Sequence, residues 1–463
     1  MRNVAAIVLA AGLGKRMKSS LVKTLHLLRG KPIITYAVNA AKDLRPARLV
    51  VVVGHQGEDV MRAIGPGVEY AVQAEQRGTG HAVLQAAPLL QDFRGDVVIL
   101  YGDMPLLTAR VIERLLDEHS TGGFAATVLT AVLDDPSGYG RIVRDERGGF
   151  RQIVEDGDCT PEEREIREIN TGVYCFKARL LFEALKRIRP ENSQGEFYLT
   201  DVLGLLRGDG MEIGVVAAED VTSVMGINDR RQLAWAEGVL RERKMDKLML
   251  SGVTVLDPRT TYIDEDVEIG PDTLVKPFTF LEGRTTLGSG CIVGPSTRIS
   301  DSVLRDGVSV EFSVVEGSTI ETGVRVGPFS HLRPGTTLGP GVRVGNFAEI
   351  KNSRIGAGSK IPHHSYVGDS DIGERVNLGA GCVTVNYDGW RKHRTVVEDE
   401  AFVGCNVNII APLKVGEGAY VAAGSTINAD VPAGALAIAR ARQENKEGWA
   451  RKKAREQRGG SKG

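Results

Sequence analysis

The amino-acid sequence predicts two folds in series, an α/β domain and then a solenoid of parallel β-coils. Three observations carry that expectation. Residues 1–228 alternate short apolar runs, at 4–9, 49–53, 97–100 and 125–129, with helix-length amphipathic stretches, the pattern of a sheet covered by helices. Beyond Gly252 an aliphatic residue recurs every six positions, at Ile320, Val326, Leu332, Leu338, Val344 and Ile350, and again at Val397, Val403, Ile409, Val415, Val421 and Ile427. Between the two patterns, residues 229–250 read as a connecting helix: Leu233, Ala236, Leu240 and Leu248 share a side, charged residues fill the other, and Asn228 or Asp229 can cap its start.

The first apolar run has one preceding charge and leads into Gly12, Gly14, Lys15 and Arg16, so it reads as a buried strand rather than a secretory leader. In the second half, one aliphatic per six residues is neither helical period nor strand alternation. It fits a three-sided coil whose short strands each point one aliphatic inward, with stacked coils burying a continuous column. Glycine follows the aliphatic at 327, 339, 345, 404 and 416, where it is expected to turn corners that need unusual dihedrals. The spacing slips to five at Ile350–Ile355 and Val367–Ile372, and a non-periodic excursion spans roughly residues 385–396. Residues 251–439 therefore form the solenoid. Residues 440–463 are a tail with nine Lys or Arg against three Glu, read either as a solvated, partly disordered end or as a clamp for a phosphorylated ligand.

A length of 463 residues suits two domains. The net charge of −1 leaves no excess for a polyanion, so small molecules rather than nucleic acid are the expected partners. Five scattered cysteines with no C-x-x-C pair argue against a disulfide framework or a zinc site and fit a reducing cytoplasm. No apolar run approaches the ~20 residues of a membrane span.

The run from Leu9 through Ala10, Ala11 and Gly12 to Arg16 follows a strand, and its small residues let backbone N–H groups approach phosphate oxygens, with Lys15, Arg16 and Lys23 to balance charge. A tight turn is the alternative, since the spacing is not G-x-G-x-x-G. Tyr101-Gly102-Asp103 follows another strand, where a carboxylate can hold a divalent ion or merely form a turn. Q-A-E-Q-x-G-T from Gln73 to Thr79, Y-G-D-x-P-L from Tyr101, D-P-x-G-Y-G-R-I from Asp135 and E-I-N-T-G from Glu168 come next in order, ahead of the hexapeptide repeat.

With that order the chain resembles the bacterial bifunctional N-acetylglucosamine-1-phosphate uridylyltransferases and glucosamine-1-phosphate N-acetyltransferases, over nearly its whole length. The resemblance implies a Rossmann-like nucleotidyltransferase domain and a left-handed parallel β-helix, assembled as a cytoplasmic homotrimer with acetyltransferase sites between subunits. UTP, acetyl-CoA, sugar phosphates and Mg2+ are the ligands it implies. Leu9, Ala10, Ala11, Gly12, Lys23, Gln73, Gly78, Thr79, Tyr101, Gly102 and Asp103 would contact the nucleotide, and Gly140, Glu155, Asn170 and Asn228 the sugar nucleotide. Asp103 and Asn228 would hold the metal, and Arg16 would meet the triphosphate. Two positions depart from the family pattern: Lys15 replaces a threonine, and Val22 the proline before the lysine.

In the repeat, the resemblance assigns Arg333, Lys351, Tyr366 and Asn377 to the acceptor sugar and His363 to the catalytic base, with Glu349 assisting. Asn386 and Tyr387 would form the acetyl-CoA loop, and Ala380, Cys405, Ala423 and Arg440 other acyl-donor contacts; Cys405 stands where serine is common. An imidazole, with an ordinary pKa of about 6.5, suits proton removal from an attacking amine better than a carboxylate does. Side chains alternate along a strand, so His363 and His364 are expected to face opposite ways. Other readings stay open. His331, His363, His364 and His393 could serve a zinc site of the carbonic-anhydrase kind, another pyrophosphorylase could carry a β-helix of different acyl function, and a non-catalytic exchange-factor-like regulator could join the same two folds.

Overall fold

In the computed structural model, which describes residues 3–12, 14–192 and 194–459, the first strand Val4–Ala10 is buried along its whole length. Its side chains alternate between two apolar clusters, Ala5, Ile7 and Leu9 in one and Val4, Ala6, Val8 and Ala10 in the other. Such a strand has both faces covered, which is why it reads as a continuous apolar run. It pairs in parallel with Arg48–Val53 on one side and Asp96–Tyr101 on the other. Among the described residues the main path of the sheet runs Ile213–Ala217, Ala126–Val132, Glu168–Lys177, Asp96–Tyr101, Val4–Ala10, Arg48–Val53, Glu69–Val72. Glu168–Lys177 is antiparallel to both of its neighbours there, and it carries the hairpin Arg141–Arg144 and Phe150–Val154 beside it.

Residues 245–463 form a second compact unit of three parallel sheets holding eleven, ten and nine strands among the described residues. The chain visits the sheets in turn, as a left-handed β-helix. Val310 pairs with Val326, Val326 with Val344 and Val344 with Ile361 on one sheet. Val315, Leu332, Ile350 and Val367 make the same ladder on the next, and Leu304, Ile320, Leu338, Ile355 and Ile372 on the third. The twelve periodic aliphatics are all buried in one apolar column. The five-residue steps are absorbed at corners where Asn352 and Asp369 adopt left-handed backbone, with φ of 44° and 49°.

The role expected of the glycines needs correction. Of the five that follow an aliphatic, Gly327 alone has positive φ, at 107°. The other four lie where successive coils touch. A Cβ on Gly345 would sit 2.0 Å from the Pro362 carbonyl oxygen, on Gly339 2.9 Å from the Ala357 nitrogen, on Gly404 2.6 Å from the Ala423 nitrogen and on Gly416 2.5 Å from the Ala433 nitrogen. Close approach, not dihedral freedom, selects glycine there, and many left-handed corners are taken by residues such as Phe312, Phe329, Phe347 and His364.

The helix between the patterns spans Arg230–Leu250. Asp229 caps it, its Oδ1 accepting from the N–H groups of Arg231 at 2.8 Å and Gln232 at 2.9 Å, and those bonds hold its carboxyl below the usual range. The two units part within this helix, between Lys244 and Met245. In the first unit Ala236 and Leu240 are buried against Leu28, Ile33, Leu106 and Ile227. A fragment cut at Arg230 loses both side chains, whereas one ending at Lys244 keeps them. Removing one buried leucine costs roughly 2–5 kcal/mol. The shorter fragment is therefore expected to melt on the order of 5–10 °C lower, and equal melting temperatures in a thermal scan would count against this role for the helix.

The tail forms a helix, Trp449–Gly459, whose side chains are exposed through residue 458. Its last four residues and Leu13 of the first loop lie outside the described residues. Among the described residues no helix is long and apolar enough to cross a membrane.

Candidate active sites

In the first unit, a cavity of about 470 Å³ opens at the carboxyl ends of Val4–Ala10 and Asp96–Tyr101, where open α/β sheets bind ligands. Leu9, Ala10, Ala11, Gly12, Arg16, Lys23, Gln73, Gly78, Thr79, Tyr101, Asp103 and Asn228 line it. The Lys23 ammonium bonds the Asp103 carboxylate and also reaches Asn228 Oδ1 at 3.3 Å, while Arg16 donates to the same Asn228 oxygen at 2.8 Å. Two oxygens from distant segments thus converge on one cation. Gly14 makes this possible: it has φ of 62°, and a Cβ there would lie 2.5 Å from Lys23 Cβ.

Gly102 lies behind the wall rather than on it, its N–H donating to the Leu9 carbonyl at 2.9 Å. Gly140, Glu155 and Asn170 gather nearby; Asn170 N–H bonds the Gly140 carbonyl at 2.8 Å, and a Cβ on Gly140 would come within 3.4 Å of the Glu155 carboxylate. Asn170 is fixed at both ends of its amide, accepting from Gly172 N–H at 3.1 Å and donating to the Tyr174 hydroxyl at 2.7 Å. Tyr101 bridges the two groups. Burial first, and then the charges of Glu155 and Asp103, push its phenol well above the ordinary range, so it stays a neutral hydrogen-bonding group. Burial also raises Glu155, reinforced by Asp158 and Asp201.

Sequence reasoning missed the segment around Phe197. Gly80 N–H donates to the Phe197 carbonyl at 2.8 Å, Leu199 N–H to Thr79 Oγ1 at 3.0 Å, and Arg77 covers the Phe197 ring at 5.4 Å. This brings Glu196 to the cavity. No local motif marks that segment; the packing of Gly78, whose Cβ would meet the Phe197 carbonyl oxygen at 2.5 Å, is what draws it in.

In the second unit the assigned residues fall on two neighbouring sheets. Glu349, Tyr366 and Val383 are cross-coil partners on one, Lys351 pairs with Gly368 there, and Arg333 donates to Glu349 Oε1 at 2.9 Å. One coil on, the Asn386 amide reaches the Tyr366 hydroxyl at 3.4 Å and Asp369 Oδ2 at 2.5 Å. Tyr387 is exposed and bridges to Lys392 across the loop, and its hydroxyl donates to the Gly389 carbonyl at 2.6 Å. Asp388 organises the turn, its carboxyl held down at about 2 by the Arg391 N–H, His393 and the Trp390 N–H. Lys392, beside Lys351, is lowered from the usual lysine range by that neighbour. It was not foreseen from the sequence, because its partner is far away along the chain.

His363 pairs in register with Asn346, and Lys360 with Asn377, on the adjoining sheet. Ala380, Cys405 and Ala423 each stand two residues beyond the paired Leu378, Val403 and Val421, so they follow one edge of that sheet, with Arg440 Cδ 3.8 Å from a Cβ built on Gly424. His363 is exposed at its strand end. Simple alternation does not describe His364. It occupies the corner, φ 47°, and stacks on Phe347 at 5.0 Å, continuing the stack of Phe347 on Phe329. His331 bonds Glu316 at 3.0 Å and His393 bonds Asp388 at 2.7 Å, so the four histidines have separate surroundings. Among the described residues no three His, Cys, Asp or Glu side chains form a metal-holding group.

A family model for MobA-like NTP transferase domains matches residues 6–198, and one for the bacterial transferase hexapeptide, six repeats, matches residues 317–352. The curated protein from Brevibacillus brevis called "Bifunctional protein GlmU" is 50% identical over 452 residues, covering 98% of each chain. The chain belongs to the GlmU family. GlmU proteins of Caldanaerobacter subterraneus and Exiguobacterium sp. are similar to it at 49% and 51% identity, over 97% and 96% of this chain and 98% and 99% of theirs. As a member of the GlmU family it is a bifunctional transferase, a uridylyltransferase and a glucosamine-1-phosphate acetyltransferase.

Proposed function

We propose that uridylyl transfer takes place in the cavity of the first unit and acetyl transfer on the two neighbouring faces of the β-helix. The convergence of Arg16, Lys23, Asp103 and Asn228 carries the first assignment. The Asp103 carboxylate and the Asn228 amide oxygen, aimed at one cationic centre, are hard oxygen donors that would hold Mg2+. Such an ion would supply charge neutralisation at the phosphates. Lys23 and Arg16 take triphosphate oxygens, and backbone N–H groups of residues 10–12 approach them. No general base is required, because a phosphate monoester with a second pKa of roughly 6 is already largely dianionic. A sugar 1-phosphate oxygen forms a bond to the α-phosphorus of UTP, the bond to the β-bridging oxygen breaks, and pyrophosphate leaves with the electron pair. Gly140, Glu155 and Asn170 orient the sugar.

On the β-helix, Lys351 and Lys392 meet the acceptor phosphate, with Arg333, Tyr366 and Asn377 at the acceptor sugar. Ala380, Asn386, Tyr387, Cys405, Ala423 and Arg440 receive the acyl donor. His363 takes a proton from the amine as nitrogen bonds to the thioester carbon and the thiolate of coenzyme A departs. Because His363 and Tyr366 stand on different sheets, a homotrimer that sets one copy's face against the next would complete each site. The setting is the cytoplasm. The paired assay is direct: UTP with N-acetylglucosamine 1-phosphate, and acetyl-CoA with glucosamine 1-phosphate, each expected to turn over. Loss of either would remove the matching site.

The thiols provide a second check. Cys382 is buried and its pKa is pushed up to about 11 by that burial, whereas Cys405 is exposed. Alkylation is expected to modify Cys405 and slow acetyl transfer, with acetyl-CoA protecting. A Cys405→Ser variant that is inhibited just as fast would rule out the placement of Cys405 at the donor.

A further inference from the structure

Lys23 opens a single 3-10 turn, Lys23–Leu25, directly after a loop, and the turn delivers its ammonium group accurately only if something holds the loop backbone before it. The residue before it, Val22, has φ −60° and ψ 142°, a φ that a proline ring would fix and a ψ that proline adopts, yet it carries an N–H that must be satisfied because the residue is buried. That N–H donates to Gln56 Oε1 at 2.8 Å, and the other end of the same amide, Nε2, donates to the Ser20 carbonyl at 2.8 Å. The two bonds fix the orientation of the amide, since a flipped one would oppose donor to donor. Gln56 is itself anchored. It starts the helix Gly57–Ile64 in left-handed backbone, φ 55°, with its carbonyl accepting from Asp59 at 3.1 Å and Val60 at 3.2 Å.

We propose that Gln56 is a positioning residue for uridylyl transfer: its side chain serves the 20–22 segment as a strand neighbour would, and so aims Lys23 at the nucleotide. A proline at 22 would fix the same φ covalently and would have no N–H to satisfy, so Val22 and Gln56 form one device in two pieces. The proposal rests on the reading that Lys23 meets the triphosphate of UTP.

Five proteins test it by steady-state kinetics with UTP varied: wild type, Lys23→Ala, Gln56→Ala, Val22→Pro, and Gln56→Ala with Val22→Pro. Acetyl transfer and melting temperature are followed in each. Gln56→Ala is expected to raise KM for UTP about tenfold with kcat changed less, as suits one lost hydrogen bond and one orphaned buried donor. Adding Val22→Pro to that variant is expected to return KM to within about threefold of wild type, since the orphaned donor is then gone. A general loss of packing would not be repaired by a second substitution. If Lys23→Ala raises KM while Gln56→Ala does not, or if Val22→Pro fails to rescue Gln56→Ala, the role of Gln56 is overturned. If Lys23→Ala itself leaves the UTP kinetics unchanged, the reading of the cavity fails instead.

Discussion

Alanine in place of His363 is expected to lower acetyl transfer by ~10²-fold or more, the scale on which a positioned general base contributes, while uridylyl transfer continues at its normal rate. The two histidines of the pair are distinguished by their surroundings. His364 is committed to the stack on Phe347 at a left-handed corner, whereas His363 stands exposed at the strand end and in register with Asn346. His364→Ala is therefore expected to cost much less in turnover and to show its loss as a lower melting temperature of the β-helix. Rates with glucosamine 1-phosphate and acetyl-CoA between pH 6 and 9 supply the check. Normal turnover of the His363 variant over that range, or a larger loss for His364→Ala, would put the base elsewhere.

The second large effect concerns Asp103. Asp103→Asn keeps the size of the side chain and removes its charge, so both the bond to Lys23 and any affinity for a divalent ion fall together. Loss of metal assistance at a phosphoryl centre is worth several kcal/mol, or about 10³-fold in rate. Acetyl transfer is expected to be untouched. Raising the magnesium concentration should recover part of the uridylyl activity, because the amide oxygen still donates to a hard cation. Equal loss of both activities would mean that the variant damages the whole chain and not one cavity.

Much of this was legible in sequence. The twelve aliphatics at six-residue spacing all entered the column, because a pattern that repeats with the coil reports burial directly. Likewise Leu9–Gly12, Gln73, Thr79, Tyr101 and Asp103 each end a strand, follow one or open a helix, so local motifs put them near the carboxyl ends of the strands. The reason for the glycines was not legible: the atoms that exclude a Cβ at 345 or 404 belong to the next coil, about eighteen residues on. Nor were Gln56, Glu196 and Lys392, whose partners are brought to them by other segments and leave no spacing to read. Side chains that act across the chain are visible only once the chain has folded.

The excursion at 385–396 shows what the coil geometry permits in the longer term. Val383 pairs with Asn408 across it as regularly as Asn408 pairs with Thr426 after it, so the extra residues leave both flanking ladders in step. Growth at a corner is invisible to the stack, whereas one residue added within a face would turn its apolar side chain outward. The scaffold is in this sense a ruler with fixed divisions and free margins: it can be lengthened by whole turns, or ornamented at its edges, and new chemistry can be written in the margins without redrawing the scale.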